Sequence, residues 1–337
     1  MKYVGLMKLR LAMVGTLAGV IGGATLILAI VLSLLGGWST WFFVVALGFV
    51  VLFHLAQWLF APYIIDALYR VKHVDAGDSK YGWLVRMVGD LSRRSGLKKV
   101  PKVGIAEVDI PNAFAYESPL TGPRIAVTRK LLEVAPRDEI EAVLGHEIGH
   151  LKHGDVKIMM MVSLIPALLY WVGQMMVRIG FYSVILGGGR RREGGGVAII
   201  GLLGVGLIAA SFLFNIFILF LSRLREYYAD SHSATVVKNG AYKLQRALAR
   251  IIAFTGTLKE AGVDTSRHSH LKALFIEDPE HSYHVETYLY TRGEEWIDRL
   301  VERIKRMRVG TLSDFFSTHP HPAKRFRFLD ALVTQSS

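Results

Sequence analysis

The strongest chemical pattern in this sequence is His146-Glu147-Ile148-Gly149-His150, in which two histidines lie four residues apart and a glutamate follows the first. Side chains at positions i and i+4 share one face of a helix, so both imidazoles can reach one tetrahedral zinc ion. Glu147 lies beside them, where its carboxylate can take a proton from a metal-activated water. The spacing therefore predicts a catalytic metal site on a helix, with His146 and His150 as ligands and Glu147 as general base.

A catalytic zinc also needs a third protein ligand and an open position. His153 is close in sequence, but ligands at i, i+4 and i+7 spread over about 10 Å of helix axis, too far for one ion. Glu226 and Asp230 lie one helical turn apart in a second charged stretch. We predict that Glu226 is the third ligand and that Asp230 accepts the N–H of a ligating histidine. The alternative for this pair is a solvated acidic helix face beside Arg223 and Arg225.

The composition limits which proteins and which metal sites are possible. The chain of 337 residues has no cysteine, which excludes disulfide scaffolds, thiol proteases and cysteine-ligated zinc, so a metal must rest on histidine and carboxylate. It is 52% hydrophobic and only 20% charged, whereas soluble domains are about 25% charged. This composition favours a membrane protein over an ordinary soluble enzyme.

Four long apolar runs predict membrane-spanning helices. No charged residue occurs between Leu11 and Ile65, and a bilayer core needs about 20 apolar residues per helix, so this stretch holds two spans and a turn. Lys2, Lys8 and Arg10 precede the first span, which by the positive-inside rule places the N-terminus in the cytoplasm. The predicted spans are Leu11–Leu35, Trp41–Phe60, Ile158–Val177 and Val197–Leu221. Basic residues flank the second pair equally on both sides, which leaves open whether that pair spans the bilayer completely.

The two charged stretches outside the spans are predicted to differ in structure. Residues 66–157 read as mixed, with a helix at Tyr81–Ser95 and short strands at Val103–Val108, Asn112–Tyr116 and Ile125–Thr128. Residues 223–337 read as mainly helical, with helices at Tyr242–Thr255 and Glu294–Arg308.

The ligands lie close to the predicted spans. His150 precedes the third span by eight residues, and Glu226 follows the fourth by five. At about 1.5 Å per helical residue, the metal lies within roughly 10 Å of the membrane surface. Such a site would meet substrates that emerge from the bilayer or lie on it.

The net charge of +12 invites a nucleic-acid interpretation, but its distribution argues against one. Half of the excess lies in residues 1–10 and 178–193, two short segments that flank predicted spans. No basic patch with interleaved aromatic residues occurs elsewhere. We therefore predict contact with lipid headgroups and no nucleic-acid partner.

Paired motifs in this chain resemble those of the HtpX-like integral-membrane zinc metalloproteases, a gluzincin family. The pair is His146-Glu147-Ile148-Gly149-His150 with Glu226-x-x-Ala229-Asp230. Asn112-Ala113-Phe114-Ala115, Ala273-Leu274-Phe275-Ile276 and Ser317-Thr318-His319-Pro320 resemble further stretches of that family. The related CaaX prenyl endopeptidases share the zinc motifs but are typically longer, with more spans.

The resemblance implies roles for individual residues. One zinc ion per chain would be held by the two histidines of the motif and Glu226, with Glu147 acting as general base and then general acid. His319 would stabilise the oxyanion with help from Arg325, and Asn112 would bind substrate backbone beside an edge strand. The chain reads Thr318-His319-Pro320-His321-Pro322, so His319 and His321 are both open as the histidine that faces the metal.

The resemblance also implies the architecture. The expected fold is a mainly α membrane protein with about four transmembrane helices and a cytoplasmic α+β metalloprotease domain of the zincin type. The expected divisions are a membrane hairpin at 1–65, a first catalytic part at 66–157, a second membrane or membrane-associated hairpin at 158–221 and a second catalytic part at 222–337.

The expected function is that of a zinc-dependent endopeptidase of misfolded or damaged membrane proteins or unfolded polypeptides. It would be a multi-pass protein of the cell membrane, embedded in the lipid bilayer with its active site facing the cytoplasm; its oligomeric state is left open. One alternative is a non-enzymatic membrane scaffold whose structural zinc is closed by a fourth ligand from His153, His232 or His321. A CaaX-type prenyl-protein endopeptidase is the other.

Overall fold

The protein is described from a computed structural model, which covers residues 40–186, 194–260, 294–310 and 317–334 and isolated residues between 7 and 27. Most of the predicted first span, Leu11–Leu35, lies outside the described residues. The same is true of Ala273–Ile276, one of the stretches that carried the resemblance.

The described residues form nine helices and four short strands. The helices are α1 Thr40–Leu68, α2 Gly82–Arg94, α3 Arg129–Val134, α4 Arg137–His153, α5 Asp155–Leu186, α6 Gly194–Val236, α7 Gly240–Glu260, α8 Glu295–Lys305 and α9 Pro322–Thr334. The strands are β1 Lys72–Val74, β2 Lys102–Ala106, β3 Ala113–Ser118 and β4 Gly122–Thr128. This content confirms a mainly helical protein with a small mixed sheet. Strand β1 was not predicted, because three residues are too few to show an alternating pattern.

Three of the described helices are long and apolar enough to cross a membrane. They contain the candidate spans Gly48–Leu68, Asp155–Tyr182 and Ile199–Val236, which correspond to the second, third and fourth predicted spans. Each helix extends beyond the predicted apolar run, because the flanking charged residues continue it into the rest of the protein.

The sheet has the strand order β1-β2-β4-β3, in which only β2 and β4 run parallel. Strand β3 pairs with β4 in antiparallel register, with Ala115 opposite Ile125, and lies at the edge of the sheet. Apolar side chains of β2 and β4 alternate onto the face that packs against α2 and α4. The sheet therefore presents one backbone edge, that of β3, beside the helix that carries the histidine motif.

The C-terminal end of α1 is tied to this sheet by Asp66. Its carboxylate pairs with Arg124 of β4, accepts a hydrogen bond from the Tyr116 hydroxyl of β3 and lies 3.0 Å from His73 Nε2 of β1. Three of the four strands thus meet one carboxylate, which fixes the sheet to the helix that precedes it.

Two compact units divide the chain, one of Met1–Leu9, Leu59–Val156 and Ser222–Ser337 and one of Arg10–Trp58 and Lys157–Leu221. In the first unit α4 is the central element, packed against α2, β3 and α7. Its residues Val143, Leu144 and Ile148 are fully buried. At its start, the buried Glu139 receives hydrogen bonds from Arg246 and Arg250 of α7. The histidine motif therefore sits on a helix whose residues 142–149 are all buried.

In the second unit α5 and α6 pack backbone to backbone at two glycines. A Cβ built on Gly204 would lie 2.7 Å from the carbonyl oxygen of Gly173 and 2.8 Å from Val177 N. Small residues are the usual means by which membrane helices approach this closely, since the lipid tails provide no hydrophobic drive for association.

We expect Gly204→Ala to destabilise this helix pair by about 1–3 kcal/mol, because the added methyl group meets backbone atoms that cannot move aside. Gly206→Ala on the same helix is the matched control, since nothing lies within 4 Å of its Cβ position. The measurement is thermal unfolding of the purified variants in detergent. Equal melting temperatures for the two variants would contradict this packing.

Candidate metal centre

The motif helix α4 has well-defined ends. It begins after Pro136 in extended conformation, and Asp138 and Glu139 occupy its first turn, where acids favour the helix dipole. It ends at Gly154, whose φ of 67° lies in the left-handed region that glycine adopts without a Cβ penalty. The chain can therefore turn immediately after the motif and start α5 at Asp155.

Two glycines of α4 allow α6 to approach the motif closely. A Cβ on Gly149 would lie 3.1 Å from Ala229 Cα, and one on Gly145 would lie 3.1 Å from the Ser233 hydroxyl. Gly145 and Gly149 are one turn apart, so they form a single flat strip along α4. From the sequence we assigned no structural role to Gly149 or Ala229. Small residues spaced four apart on each of two helices nevertheless indicate that the helices can pack closely.

This approach brings three candidate ligands together. His146 Nε2 and His150 Nε2 lie 3.1 Å apart, and each is 3.5 Å from a different carboxylate oxygen of Glu226. Donor atoms bound to one tetrahedral zinc at about 2.0–2.1 Å are separated by about 3.3 Å. Glu226 Oε2 is buried and makes no hydrogen bond among the described residues. The chemical types of the three side chains, the distances between their donor atoms and the Glu226 oxygen without a hydrogen bond all fit a metal ion.

The charges around the ligands also fit a cation. Burial opposes ionisation of Glu226, but His319, His146 and His150 outweigh it and hold the pKa of this carboxyl well below its usual range. Burial likewise lowers the pKa of His150 to about 4, which keeps its imidazole neutral, as a metal ligand must be. For His146, burial is outweighed by Asp230 and Glu226, which raise the pKa to about 9. A divalent cation bound at Nε2 of His146 would compete with the proton on this imidazole.

Each ligating histidine has a carboxylate on its other ring nitrogen. His146 Nδ1 lies 2.9 Å from Asp230 Oδ1, and His150 Nδ1 lies 2.6 Å from Asp155 Oδ2. Such partners fix the tautomer that leaves Nε2 free to bind metal. Asp155 was not predicted; it follows the motif by only five residues, but its orientation depends on the turn at Gly154.

Two buried arginines complete these pairs. Arg325 is fully buried and donates two hydrogen bonds to Asp230, at 2.9 and 2.6 Å. Arg225 Nη2 lies 2.7 Å from Asp155 Oδ1. Asp230 and Asp155 are each thereby paired with a cation, which lowers the cost of burying their charges. The predicted role of Arg325 in helping His319 to stabilise the oxyanion stays a prediction, and the contacts of Arg325 point first to the support of Asp230.

Glu147 lies between the ligands and the sheet. It is 4% exposed, and its Oε2 accepts a hydrogen bond of 2.8 Å from the backbone N–H of Ala115 in the edge strand β3. Burial raises the pKa of this carboxyl above its usual value. A buried carboxylate with a raised pKa, held beside two metal ligands, is suited to accept and return a proton.

The two histidines of the C-terminal motif have different positions. His319 Nδ1 lies 3.4 Å from Glu226 Oε1, on the ligand carboxylate itself. His321 instead accepts a hydrogen bond at Nδ1 from the backbone N–H of Ala323, in the first turn of α9. Arg223 donates to the backbone oxygen of Ser317 and so holds this segment near the site. The structure thus brings His319, rather than His321, to the ligand set.

Two further residues of the sequence analysis lie around the site. Asn112 is buried directly before β3, and its backbone pairs with Thr128, so its proposed contact with substrate stays a prediction. His153 packs its ring against those of Tyr228 and His232, with centroids 4.4 and 5.6 Å away. The group of potential ligands among the described residues contains His146, His150 and Glu226 but not His153.

Asp155→Asn should weaken metal binding by about 10–100-fold, because the amide no longer stabilises the N–H of His150 as a carboxylate does. The measurement is metal affinity by competition with a chromophoric chelator. Asp138→Asn is the matched control, an exposed acid in the first turn of the same helix. Equal affinities of the two variants would show that Asp155 does not support the ligand.

Comparison with known proteins places this geometry in context. A family model described as "Peptidase family M48" matches residues 78–333. The "Protease HtpX homolog" of Thermoplasma volcanium is 39% identical over 330 residues, which cover 98% of this chain and 96% of the relative. The "Protease HtpX homolog" of Aeropyrum pernix is 43% identical over 281 residues, 83% of each chain.

A solved structure is similar in fold. The "Crystal Structure of S. mikatae Ste24p" matches with a TM-score of 0.52 and 21% sequence identity, over 97% of this chain and 67% of the Ste24p chain. At this identity the match supports the common fold alone.

Proposed function

Because this chain belongs to peptidase family M48 and is a membrane metalloendopeptidase, we propose that it holds one zinc ion and uses it to hydrolyse peptide bonds. His146, His150 and Glu226 would be the ligands, and Glu147 the general base. Three ligands leave one position of a tetrahedral ion open, which is the arrangement of a catalytic zinc.

The observation that carries the proposal is the position of Glu147. Its carboxylate is buried beside both histidines and is held by the backbone of an edge strand. A structural zinc site has no use for a buried carboxylate that is not a ligand, whereas hydrolysis needs one that moves a proton.

Each residue can be given a step in the reaction. Bound zinc would polarise the scissile carbonyl and lower the pKa of a water to about 7. Glu147 would take the proton of that water and then deliver it to the leaving amine. His319 would donate a hydrogen bond to the oxygen that becomes negative, and Arg325 would assist it by holding Asp230 and Glu226 in place.

Strand β3 offers a site for the substrate backbone. The Ala115 N–H points to Glu147 and away from β4, so by strand alternation Ala113 and Glu117 also direct their backbone groups to the edge of β3 that pairs with no strand among the described residues. An extended peptide can pair with such an edge and thereby bring its scissile bond to the metal. Asn112, directly before the strand, would bind the peptide there.

The proposal also includes the substrates of the enzyme and the side of the membrane that its catalytic domain faces. We propose that the catalytic domain is assembled from 66–157 and 222–337, that it faces the cytoplasm, and that it cleaves misfolded or damaged membrane proteins or other unfolded chains. The basic residues before the first span and the names of the relatives support this. Glu226 lies five residues beyond the apolar run of α6, which favours substrates at the membrane surface.

The alternatives have less support. A scaffold with a structural zinc needs a fourth ligand, and the candidate group among the described residues has three. A CaaX-type prenyl endopeptidase is not favoured, because the HtpX homologues of Thermoplasma volcanium and Aeropyrum pernix match over 96% and 83% of their length, whereas this chain covers 67% of Ste24p.

Replacement of Glu147 by Gln should lower kcat about 100–10,000-fold while the metal content stays that of the wild type, because only the proton acceptor is lost. The measurement is cleavage of an unfolded protein by enzyme purified in detergent, with zinc quantified in the same samples. Glu133→Gln, at a half-exposed surface glutamate, is the control and should cleave normally. A zinc-loaded Glu147→Gln enzyme that cleaves at the wild-type rate would refute the mechanism.

Replacement of Glu226 by Gln should remove most of the bound zinc, because the site loses its only anionic ligand. His153→Ala should retain near-stoichiometric zinc, since His153 lies outside the ligand group. Elemental analysis of the purified variants measures both. Full zinc in Glu226→Gln would exclude that residue as a ligand, and zinc loss in His153→Ala would favour a closed, structural site.

A further inference from the structure

The apolar run of α6 contains a polar side chain that is exposed. Within Val197–Leu221, the predicted fourth span, the polar side chains are Ser211 and Asn215. Ser211 is buried, and its hydroxyl donates to the backbone oxygen of Ile208 at 2.7 Å. Asn215 is exposed instead, in a helix that is long and apolar enough to cross a membrane. Its side chain therefore faces lipid or a further protein segment.

The side-chain amide of Asn215 is only partly used by its own helix. Its Nδ2 donates to the backbone oxygen of Ser211 at 3.0 Å. A side-chain amide has two N–H donors and an oxygen that accepts. The second N–H and the oxygen make no hydrogen bond to the residues that the structure describes. In the core of a bilayer no water is present to satisfy these groups, and leaving them unsatisfied costs free energy.

Asn215 lies too deep in the apolar run for its side chain to reach water. The first charged residue after the run is Arg223, eight positions further on, which is about 12 Å along the helix axis. Lysine and arginine side chains can extend from such a depth to the interface, but the asparagine side chain is much shorter. Polar side chains at this depth commonly form hydrogen bonds with a neighbouring helix. Asn215 therefore indicates a helix–helix contact on this side of α6.

Asn215 belongs to a stripe of large apolar side chains at spacings of four, three and four residues, which lie on one side of a helix. The members of this stripe, which we call the amide seam, are Ile208, Phe212, Asn215 and Leu219. Phe212 is 65% exposed, and Ile208 and Leu219 are half-buried. Leu207 and Phe214 lie on a neighbouring stripe, which is already buried in the core of the second unit. The amide seam thus offers a surface of α6 on which a further helix can pack.

We propose that the amide seams of two copies of this chain pack together in the bilayer, with their Asn215 amides paired across a two-fold axis. Each amide carries both a donor and an acceptor, so the two form reciprocal N–H···O hydrogen bonds. The same surface is then used on both copies, as two-fold symmetry requires. The proposal concerns assembly and does not depend on peptidase activity.

A second copy is the partner that matches this surface by construction. All copies insert in one orientation, so Asn215 lies at the same depth in each of them. The second copy therefore brings a matching donor and acceptor to the level at which the first copy needs them. A single asparagine within an apolar helix contact can also fix the register and the number of helices.

The chain has no cysteine, so a single introduced cysteine can report the contact. Phe212→Cys lies in the amide seam, and Phe217→Cys is the matched control, at an exposed phenylalanine on the other side of the helix. The full-length variants are reconstituted in bilayers at a low ratio of protein to lipid, where chance collisions are rare, and oxidised with copper phenanthroline. A disulfide forms only where the two Cα atoms approach within about 7 Å, and it is detected as a dimer on a non-reducing gel.

We expect Phe212→Cys to form a disulfide-linked dimer and Phe217→Cys to stay monomeric. Asn215→Leu added to Phe212→Cys should lower the dimer yield, whereas Asn215→Gln, which retains an amide, should lower it less. Energy transfer between fluorophores attached to Val333→Cys, an exposed position on α9, gives the dissociation constant in the same bilayers. Asn215→Leu should raise that constant about 3–20-fold for each hydrogen bond that it removes.

Equal cross-linking at positions 212 and 217 would overturn the proposal, and so would an Asn215→Leu protein that dimerises as tightly as the wild type. Monomers in every variant, with slower cleavage of a membrane-protein substrate by Asn215→Leu, would overturn it in favour of a substrate segment on the amide seam. Because cross-linking and energy transfer require no proteolysis, their outcome is independent of whether zinc is bound or peptides are cleaved.

Discussion

The contact between α4 and α6 is the constraint on which the site depends. The candidate ligands come from both helices, and Gly145 and Gly149 allow α6 to lie so close that a Cβ on Gly149 would be 3.1 Å from Ala229 Cα. A side chain at Gly149 would meet Ala229 and His232 of α6, the helix that carries Glu226, whose carboxylate oxygens lie 3.5 Å from the two imidazoles. Close packing at these small residues is therefore a precondition for the geometry of the candidate metal centre.

Neutralisation of buried charge is the second requirement of this site. Asp230 and Asp155 each lie between a paired arginine on one side and a histidine on the other. Burial of such charges is costly unless they are paired, so each ion pair must form together with the packing around it. The same principle operates at the other end of α4, where the buried Glu139 is bonded by Arg246 and Arg250. The motif helix is thus held by ionic contacts at both ends and by apolar packing between them.

The elements of the site are also continuous with apolar segments. Helix α6 carries both a candidate span and the residues Glu226 and Asp230, and α5 begins with Asp155, the partner of His150. A shift of either helix along its axis would therefore move a ligand or the support of a ligand. Asp66, at the end of α1, makes an equivalent connection to the sheet whose edge strand holds Glu147. Each of these helices thus contains a candidate span and residues that contact the candidate site or the sheet.

The sequence by itself predicted the proposed ligands, the proposed general base and the apolar spans, because these predictions rest on helical spacing and on uninterrupted runs that are visible locally. Most of the described helices and three of the four strands were also predicted from the sequence pattern, whereas α3 and α9 were not. Only the tertiary structure decided that Asp155 supports His150, that Ala115 holds Glu147, that His319 rather than His321 reaches Glu226, and that β1 exists. Most of these contacts join residues 32 to 93 positions apart, from Ala115–Glu147 to Glu226–His319, and the Asp155 contact depends on a left-handed turn at Gly154. Local patterns carry no information on such distances, since the distances follow from how whole helices and strands pack.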